Sequence, residues 1–242
     1  MEGDLRSAAR THERALDLAR RVQAPEWETS QLTRLGSVLA LTGRDGALPI
    51  LESAVALAAA TGSDAGLALA LNGLGLASTL AGDPERAADA HRRALAWYET
   101  QRSLAGVSYT SGRLAGSSPD PDAALALATA SVALAVRTGD PRAIAHGLEA
   151  LALVEEDPVR SARALGGAWA LRRRAEAPLP APLREPLVRR RHELDDLLGD
   201  ALPREVQQGA LGALRRSAPD QDPVSAEGHR RDRPVLGPFP RP

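Results

Sequence analysis

The chain has no cysteine and no lysine, and only 2% of its 242 residues are aromatic. Without cysteine it can form neither disulfides nor a cysteine-ligated zinc site. Without lysine it lacks the side chain with which a P-loop reaches nucleotide phosphates, and it lacks a Schiff-base nucleophile. The absence of cysteine also excludes a thiol nucleophile. The apolar residues, 43% of the chain, are mainly alanine, leucine and valine, a composition that favours close-packed helices.

Strong charge of either sign is also missing, since 30 basic and 31 acidic residues leave a net charge of −1. Dedicated nucleic-acid-binding domains are usually clearly basic, so we expect no direct contact with nucleic acid. Residues 1–14 carry charges where a secretion signal needs an apolar core, and the weakly polar stretch 66–82 is interrupted by Asn72 and short for a bilayer. We therefore expect a cytoplasmic protein without membrane contact.

A turn followed by an amphipathic helix recurs about every forty residues, at 3–16, 43–55 and 82–95. Each such helix contains two small residues seven positions apart, which two helical turns bring onto one face. The expected pairs are Ala8/Ala15, Ala47/Ala54, Ala87/Ala94 and Ala123/Ala130, with a looser copy at Ser161/Ala168.

Glycines mark the helix that precedes each of the last four of these. A glycine inside a helix costs about 1 kcal/mol relative to alanine, so its recurrence in register indicates tight helix contact. The recurring glycines are Gly36, Gly75, Gly112 and Gly147. Helix pairs that cannot bury their own faces must stack on their neighbours. The sequence therefore predicts an all-α right-handed superhelix, an α-solenoid of about ten helices.

We divide the chain into three parts. Residues 1–176 form the helical repeats, with units starting near residues 3, 26, 64, 104 and 140, and residues 177–216 form closing helices. Residues 217–242 are rich in proline and poor in large apolar residues, which predicts a disordered tail.

The helix expected over 4–22 is the second of a pair whose first helix is not in this sequence. An uncapped apolar face at the end of a solenoid promotes association. We expect a longer ancestral protein or a start farther upstream, and self-association through this helix.

The repeats resemble the tetratricopeptide repeat, whose first helix has a small position matched by Gly36 and Gly75 and whose second has alanines matched by Ala87 and Ala94. The aromatic landmarks of that family are missing, and the units exceed its length of about 34 residues.

The segment 162–206 resembles the part that closes the helical arrays of actinobacterial LuxR- and AfsR-type transcriptional regulators, which carry STAND ATPase modules. An A-R-x-L-G-A-A-x-A-L-R helix is followed there by a PLPP turn and by a final element with an aromatic residue, where this chain has Val206. The matching residues are Ala162, Arg163, Leu165, Gly166, Ala168, Leu171, Arg172, Pro178, Leu179 and Pro180.

These resemblances imply an array for protein interaction or effector sensing, as the C-terminal region or a truncated form of such a regulator. The alternative is a stand-alone adaptor or scaffold. In tetratricopeptide arrays the first helix of each pair lines a concave groove, so the resemblance implies a peptide or ligand site there, unless this polar face is unused. The positions carried over are Thr33, Ser37, Asn72, Leu76, Tyr109 and Arg113, of which Thr33, Asn72, Tyr109 and Arg113 are the candidate binding residues.

Catalytic and metal sites are not indicated. The segment RHELDD at 191–196 lacks the second histidine of a zinc helix, and its carboxylates point to different helix faces. No nucleophile and base can be paired, so we expect no enzyme, no cofactor and no metal, and a protein, peptide or small effector as the partner. The arginine clusters at 172–174 and 189–191 are expected on solvated surfaces, and the three tryptophans in helix packing.

Overall fold

The computed structural model describes residues 2–216, and this part of the chain is all-α. It contains eleven α-helices and one short 3-10 turn, so the expected α-solenoid of about ten helices is confirmed. The predicted disordered tail, 217–242, lies outside the described residues. The helices are α1 (Glu2–Arg21), α2 (Pro25–Leu41), α3 (Ala47–Ala60), α4 (Asp64–Leu80), α5 (Pro84–Thr100), α6 (Leu104–Ala115), α7 (Pro121–Thr138), α8 (Pro141–Val154), α9 (Pro158–Arg174), α10 (Ala181–Leu198) and α11 (Leu202–Arg216), with the 3-10 turn at Gly199–Ala201.

Asp-Pro dipeptides begin four of these helices, α5, α7, α8 and α9. The aspartate caps the helix by accepting a hydrogen bond from a backbone N–H in the first turn, as Asp83 does from Arg86 at 3.0 Å. The proline occupies the first helical position, where its fixed φ fits and no N–H is needed. Local sequence thus sets where these helices start.

Each helix from α1 to α9 packs on the next, and the first helices of neighbouring pairs also meet, α2 with α4 and α6 with α8. Helix α4 is the most enclosed, because every residue from Ala70 to Ser78 is buried. Contact between α4 and α6 is weaker, so the array has a looser junction there. The core is accordingly spread along the array in several clusters.

The register of the small residues is confirmed in α5 and α9 and is wrong in α7. Ala87 and Ala94 are fully buried in α5, and so are Ser161 and Ala168 in α9. In α7 the buried pair is Ala124 and Ser131, whereas Ala130 of the predicted pair is exposed. The reason is the helix start: counted from Pro84, Pro121 and Pro158, the first buried small residue comes three positions later in all three helices.

The last two helices both pack on α9, by different means. Helix α10 also reaches α8 and the end of α2, and it buries Leu187 and Leu194 completely. Helix α11 approaches α9 backbone to backbone: a Cβ on Gly209 would collide with the carbonyl oxygen of Arg163, and one on Gly166 with that of Val206. Only glycine allows this crossing.

Candidate functional site

A groove between α6 and α8 contains two of the four candidate binding residues, Tyr109 and Arg113. Its volume is about 450 Å³, and its other walls come from the end of α9 and from the proline-rich segment 177–183. We call it the α6/α8 groove. The proline-rich segment lies across the array, so that Leu179 and Leu183 share the groove with Leu41 of α2.

Tyr109 is the centre of a stack of side chains in this groove. The Arg113 guanidinium lies 5.2 Å from its ring centroid, and Arg113 Nε donates to the Tyr109 hydroxyl at 3.2 Å. From α8, the His146 ring stacks on Tyr109 with centroids 4.7 Å apart. His146 Nε2 lies 3.1 Å from the Tyr109 carbonyl oxygen, and because that oxygen can only accept, Nε2 is the protonated nitrogen. The stack therefore holds Arg113 in one place.

The groove has a surplus of positive charge. Arg113 and Arg142 line it, and neither forms an ion pair with any residue that the structure describes. Arg172 is neutralised, because Glu149 accepts from its Nε at 2.7 Å and from its Nη2 at 2.8 Å. Asp140 contributes the opposing charge, and its carboxylate also caps α8.

Two histidines near Arg113 are held neutral. Burial, together with the smaller effects of the charges of Arg113 and Arg172, lowers the pKa of His146 to about 3. The pKa of His91 is likewise lowered to about 3, mainly by burial and then by Arg113. The positive charge of this region at neutral pH therefore belongs to arginines.

The other two candidate residues, Thr33 and Asn72, are buried, with 4% and 7% of their surface exposed, against 38% for Tyr109. The Thr33 hydroxyl donates to the Thr29 carbonyl oxygen at 2.9 Å within its own helix. Asn72 Nδ2 donates to Thr110 Oγ1 at 2.9 Å across the looser α4/α6 junction. These two side chains thus contribute to packing and offer little surface to a ligand.

His91 of α5 completes the hydrogen bonding at that junction. Its Nδ1 lies 3.2 Å from Asn72 Oδ1, which can only accept, so Nδ1 carries the proton of the neutral ring. Its Nε2 is buried without a hydrogen-bond partner among the described residues. Ser37 and Leu76 make no contribution to the groove either: Ser37 Oγ donates to the Thr33 carbonyl oxygen, and Leu76 is buried.

Sequence reasoning missed His146, Arg142 and the segment 177–183 as parts of this groove. The candidate positions lie three residues before and one residue after the recurring glycine of each first helix, and at Gly147 the same spacing selects Ile144 and Leu148, which are both buried. Residues 177–180 of this segment are extended, because proline restricts both itself and the preceding residue, and residues 181–183 form the first turn of α10. Nothing local, however, indicates that it lies over α6 and α8.

The expectation of solvated arginine clusters is wrong for Arg172 and Arg190. Arg172 forms the ion pair with Glu149 described above. Arg190 of α10 donates to the Ala152 carbonyl oxygen at 3.2 Å and to the Glu155 carbonyl oxygen at 2.7 Å. It also donates to Ser161 Oγ at 3.1 Å, so it fastens α10 to the α8/α9 turn. The expectation of packing is wrong for Trp27, which is 68% exposed.

Residues 2–216 contain neither a candidate membrane span nor a candidate metal cluster. None of these helices is both long and apolar enough to cross a membrane. No group of three or more histidine and carboxylate side chains in this range is arranged to hold a metal ion.

Comparison with known proteins finds a similarity over part of the chain. No curated protein matches the chain. The family model of the tetratricopeptide repeat matches residues 28–100, which run from the first turn of α2 to the end of α5. The chain therefore carries a tetratricopeptide-repeat-like helical array, of the kind that typically serves as a protein-interaction scaffold.

Proposed function

We propose that this chain is a protein-interaction module whose α6/α8 groove binds a peptide segment with an acidic side chain. The observation that carries the proposal is Arg113, a cation fixed by Tyr109 in a cleft, without an ion pair among the described residues. A cation partly removed from water is favourable only when an anion or strong acceptors compensate it. A ligand carboxylate would supply that compensation.

The chemistry of the groove selects the ligand further. With Nε engaged by Tyr109, the two terminal nitrogens of Arg113 remain as a planar donor pair that matches a carboxylate. Leu41, Leu179 and Leu183 give the same groove an apolar wall. A volume of about 450 Å³ suits a few side chains of an extended segment. A peptide that places an acidic residue next to a leucine-like one fits these features.

The test is a binding measurement with defined peptides. Fluorescein-labelled 12-residue peptides of leucine, glycine and glutamate, and their glutamine counterparts, are titrated by fluorescence polarisation. We expect saturable binding of acidic peptides, with Arg113→Gln raising Kd by about tenfold, the size of one charge-assisted pair. Arg137→Gln is the matched control, because Arg137 lies exposed on α7 outside the groove. Equal binding of acidic and glutamine peptides, or of Arg113→Gln and the parent, would contradict the proposal.

The wider role is a further hypothesis, supported by the resemblance of 162–206 to the closing segment of LuxR- and AfsR-type regulators. We propose that the array is the C-terminal region or a truncated form of such a regulator, in the cytoplasm, with no catalytic activity of its own. A stand-alone adaptor is the alternative. An in-frame nucleotide-binding region upstream of the gene supports the regulator, whereas an intact terminator there supports the adaptor.

Self-association through α1 remains a prediction. Leu18 near the end of that helix and Val22 directly after it are largely exposed and offer an apolar surface for it. Sedimentation velocity over a range of concentrations, with Leu18→Gln as the comparison, tests it. A monomer at all concentrations would contradict it.

A further inference from the structure

A second cavity lies between α9, α10 and α11, on the other side of the proline-rich segment from the α6/α8 groove. Its volume is about 740 Å³, and we call it the α9–α11 cavity. It exists because α10 and α11 both pack on α9 but have little contact with each other. The backbone crossing at Gly166 and Gly209 fixes α11 on one side, and Arg190 fixes α10 on the other.

The walls of this cavity are mostly apolar. Trp169 of α9 is the largest side chain among the lining residues, and the Arg191 guanidinium, which is not part of the lining, lies 5.8 Å from its ring centroid. Small residues of α9 and α11, Ala170 and Ala210, leave the space open. Further apolar lining comes from Pro178, Leu179, Pro203 and Val206.

The mouth of the cavity is basic. Arg173 and Arg184 line it and are exposed, and neither forms an ion pair within residues 2–216. Glu176 is the acidic residue of the lining, and Arg172 is already paired with Glu149. An apolar interior below an excess of positive charge is complementary to a molecule with an apolar body and an anionic head.

We propose that the α9–α11 cavity binds a small anionic amphiphile, such as a medium-chain carboxylate, with its chain against Trp169 and its head at Arg173 and Arg184. Small-molecule sites have volumes of about 300–1,000 Å³, are mostly apolar and carry a few polar groups that orient the ligand. This cavity has each of those properties. The proposal is independent of peptide binding in the α6/α8 groove.

The experiment uses dodecanoate below its micelle concentration and follows the Trp169 indole N–H signal in ¹⁵N–¹H spectra, assigned with Trp169→Phe. We expect a saturable shift with dodecanoate, no shift with acetate, which lacks the body, and weaker binding of dodecyltrimethylammonium, which carries the opposite head. Ala210→Leu narrows the cavity and should weaken the binding of dodecanoate. Ala201→Leu is its control, on an exposed residue outside the lining.

A milder variant keeps the test valid if Ala210→Leu disturbs the fold. Arg184→Gln should raise the Kd of dodecanoate by about fivefold, as expected for one exposed charge pair. Arg189→Gln, on the same helix but outside the cavity, should leave it unchanged. The proposal is overturned if dodecanoate gives no saturable shift, if the cationic amphiphile binds as tightly, or if Arg184→Gln and Arg189→Gln behave alike.

Discussion

Several helix contacts in this protein depend on glycine, and one within the repeats can be compared with one in the closing helices. In the repeats, a Cβ on Gly75 of α4 would lie 2.5 Å from the His91 ring of α5. In the closing part, a Cβ on Gly209 of α11 would meet the carbonyl oxygen of Arg163 in α9. A ring can turn or shift, but a carbonyl oxygen moves only with its helix. The closing contact should therefore tolerate an added methyl group far less than the repeat contact does.

The largest effect is expected for Gly209→Ala. The new Cβ must push α11 away from α9, and this should lower the free energy of unfolding by about 3 kcal/mol or more, at the upper end for overpacking. Hydrogen exchange should show the amides of 202–216 losing protection while the repeats keep theirs. Gly116→Ala is the control, because the nearest atom to its new Cβ is 3.7 Å away. Equal stability of these two variants would contradict the backbone crossing.

Gly75→Ala should cost less, about 1–3 kcal/mol, because the His91 ring can shift in part. Ala94→Leu should cost a similar amount, since Ala94 is fully buried in the core formed by α3, α4 and α5. In α7 the corrected register can be tested in the same way: Ser131→Leu should destabilise the fold and Ala130→Leu should not. Urea unfolding of the four variants measures these differences, and the opposite order in α7 would restore the predicted register.

Acid should destabilise the repeat contact, because that contact contains the buried histidine His91. His91 has an ordinary pKa of 6.5 when unfolded and about 3 when folded, so the unfolded chain binds a proton that the folded chain does not. Its contribution to the free energy of unfolding is fully present above pH 6.5 and is lost as the pH falls towards 3. At pH 5 the loss should reach about 2 kcal/mol. Urea unfolding at pH 7 and pH 5 should show a smaller loss for His91→Gln than for the parent. A parallel decline in both would exclude His91 as the cause.

The smallest effect is expected for Thr110→Val at the α4/α6 junction. It removes the acceptor of the Asn72 Nδ2 hydrogen bond while keeping the shape of the side chain. The cost should be about 1 kcal/mol, because one buried donor loses its partner. Thr100→Val is the control, since the Thr100 hydroxyl is exposed and bonds only within its own helix. Thermal melts of the two variants that coincide would show that this hydrogen bond adds nothing to the junction.

The helices and their stacking could be predicted from the sequence because both depend on local or periodic features. Asp83 and Pro84 start a helix by local capping and backbone geometry, which do not depend on the tertiary position of that helix. The same dipeptide recurs at 120, 140 and 157. Gly36 and Gly75 lie in equivalent positions of their pairs, so their close contacts follow from the repeat. Gly209 belongs to no such series, and the sequence pattern gave no sign of its contact with α9.

The composition of the candidate site was decided by the tertiary structure. Tyr109 and His146 are 37 residues apart and stack only because α6 packs against α8. Asn72 has the same position in its helix as Tyr109, yet the surroundings of α4 cover it, whereas Tyr109 stays open to the groove. Helix starts and repeat periods depend on neighbours along the chain and can be read from it. Exposure and distance between side chains depend on how successive helices are rotated and curved, and those angles result from packing summed over the whole array.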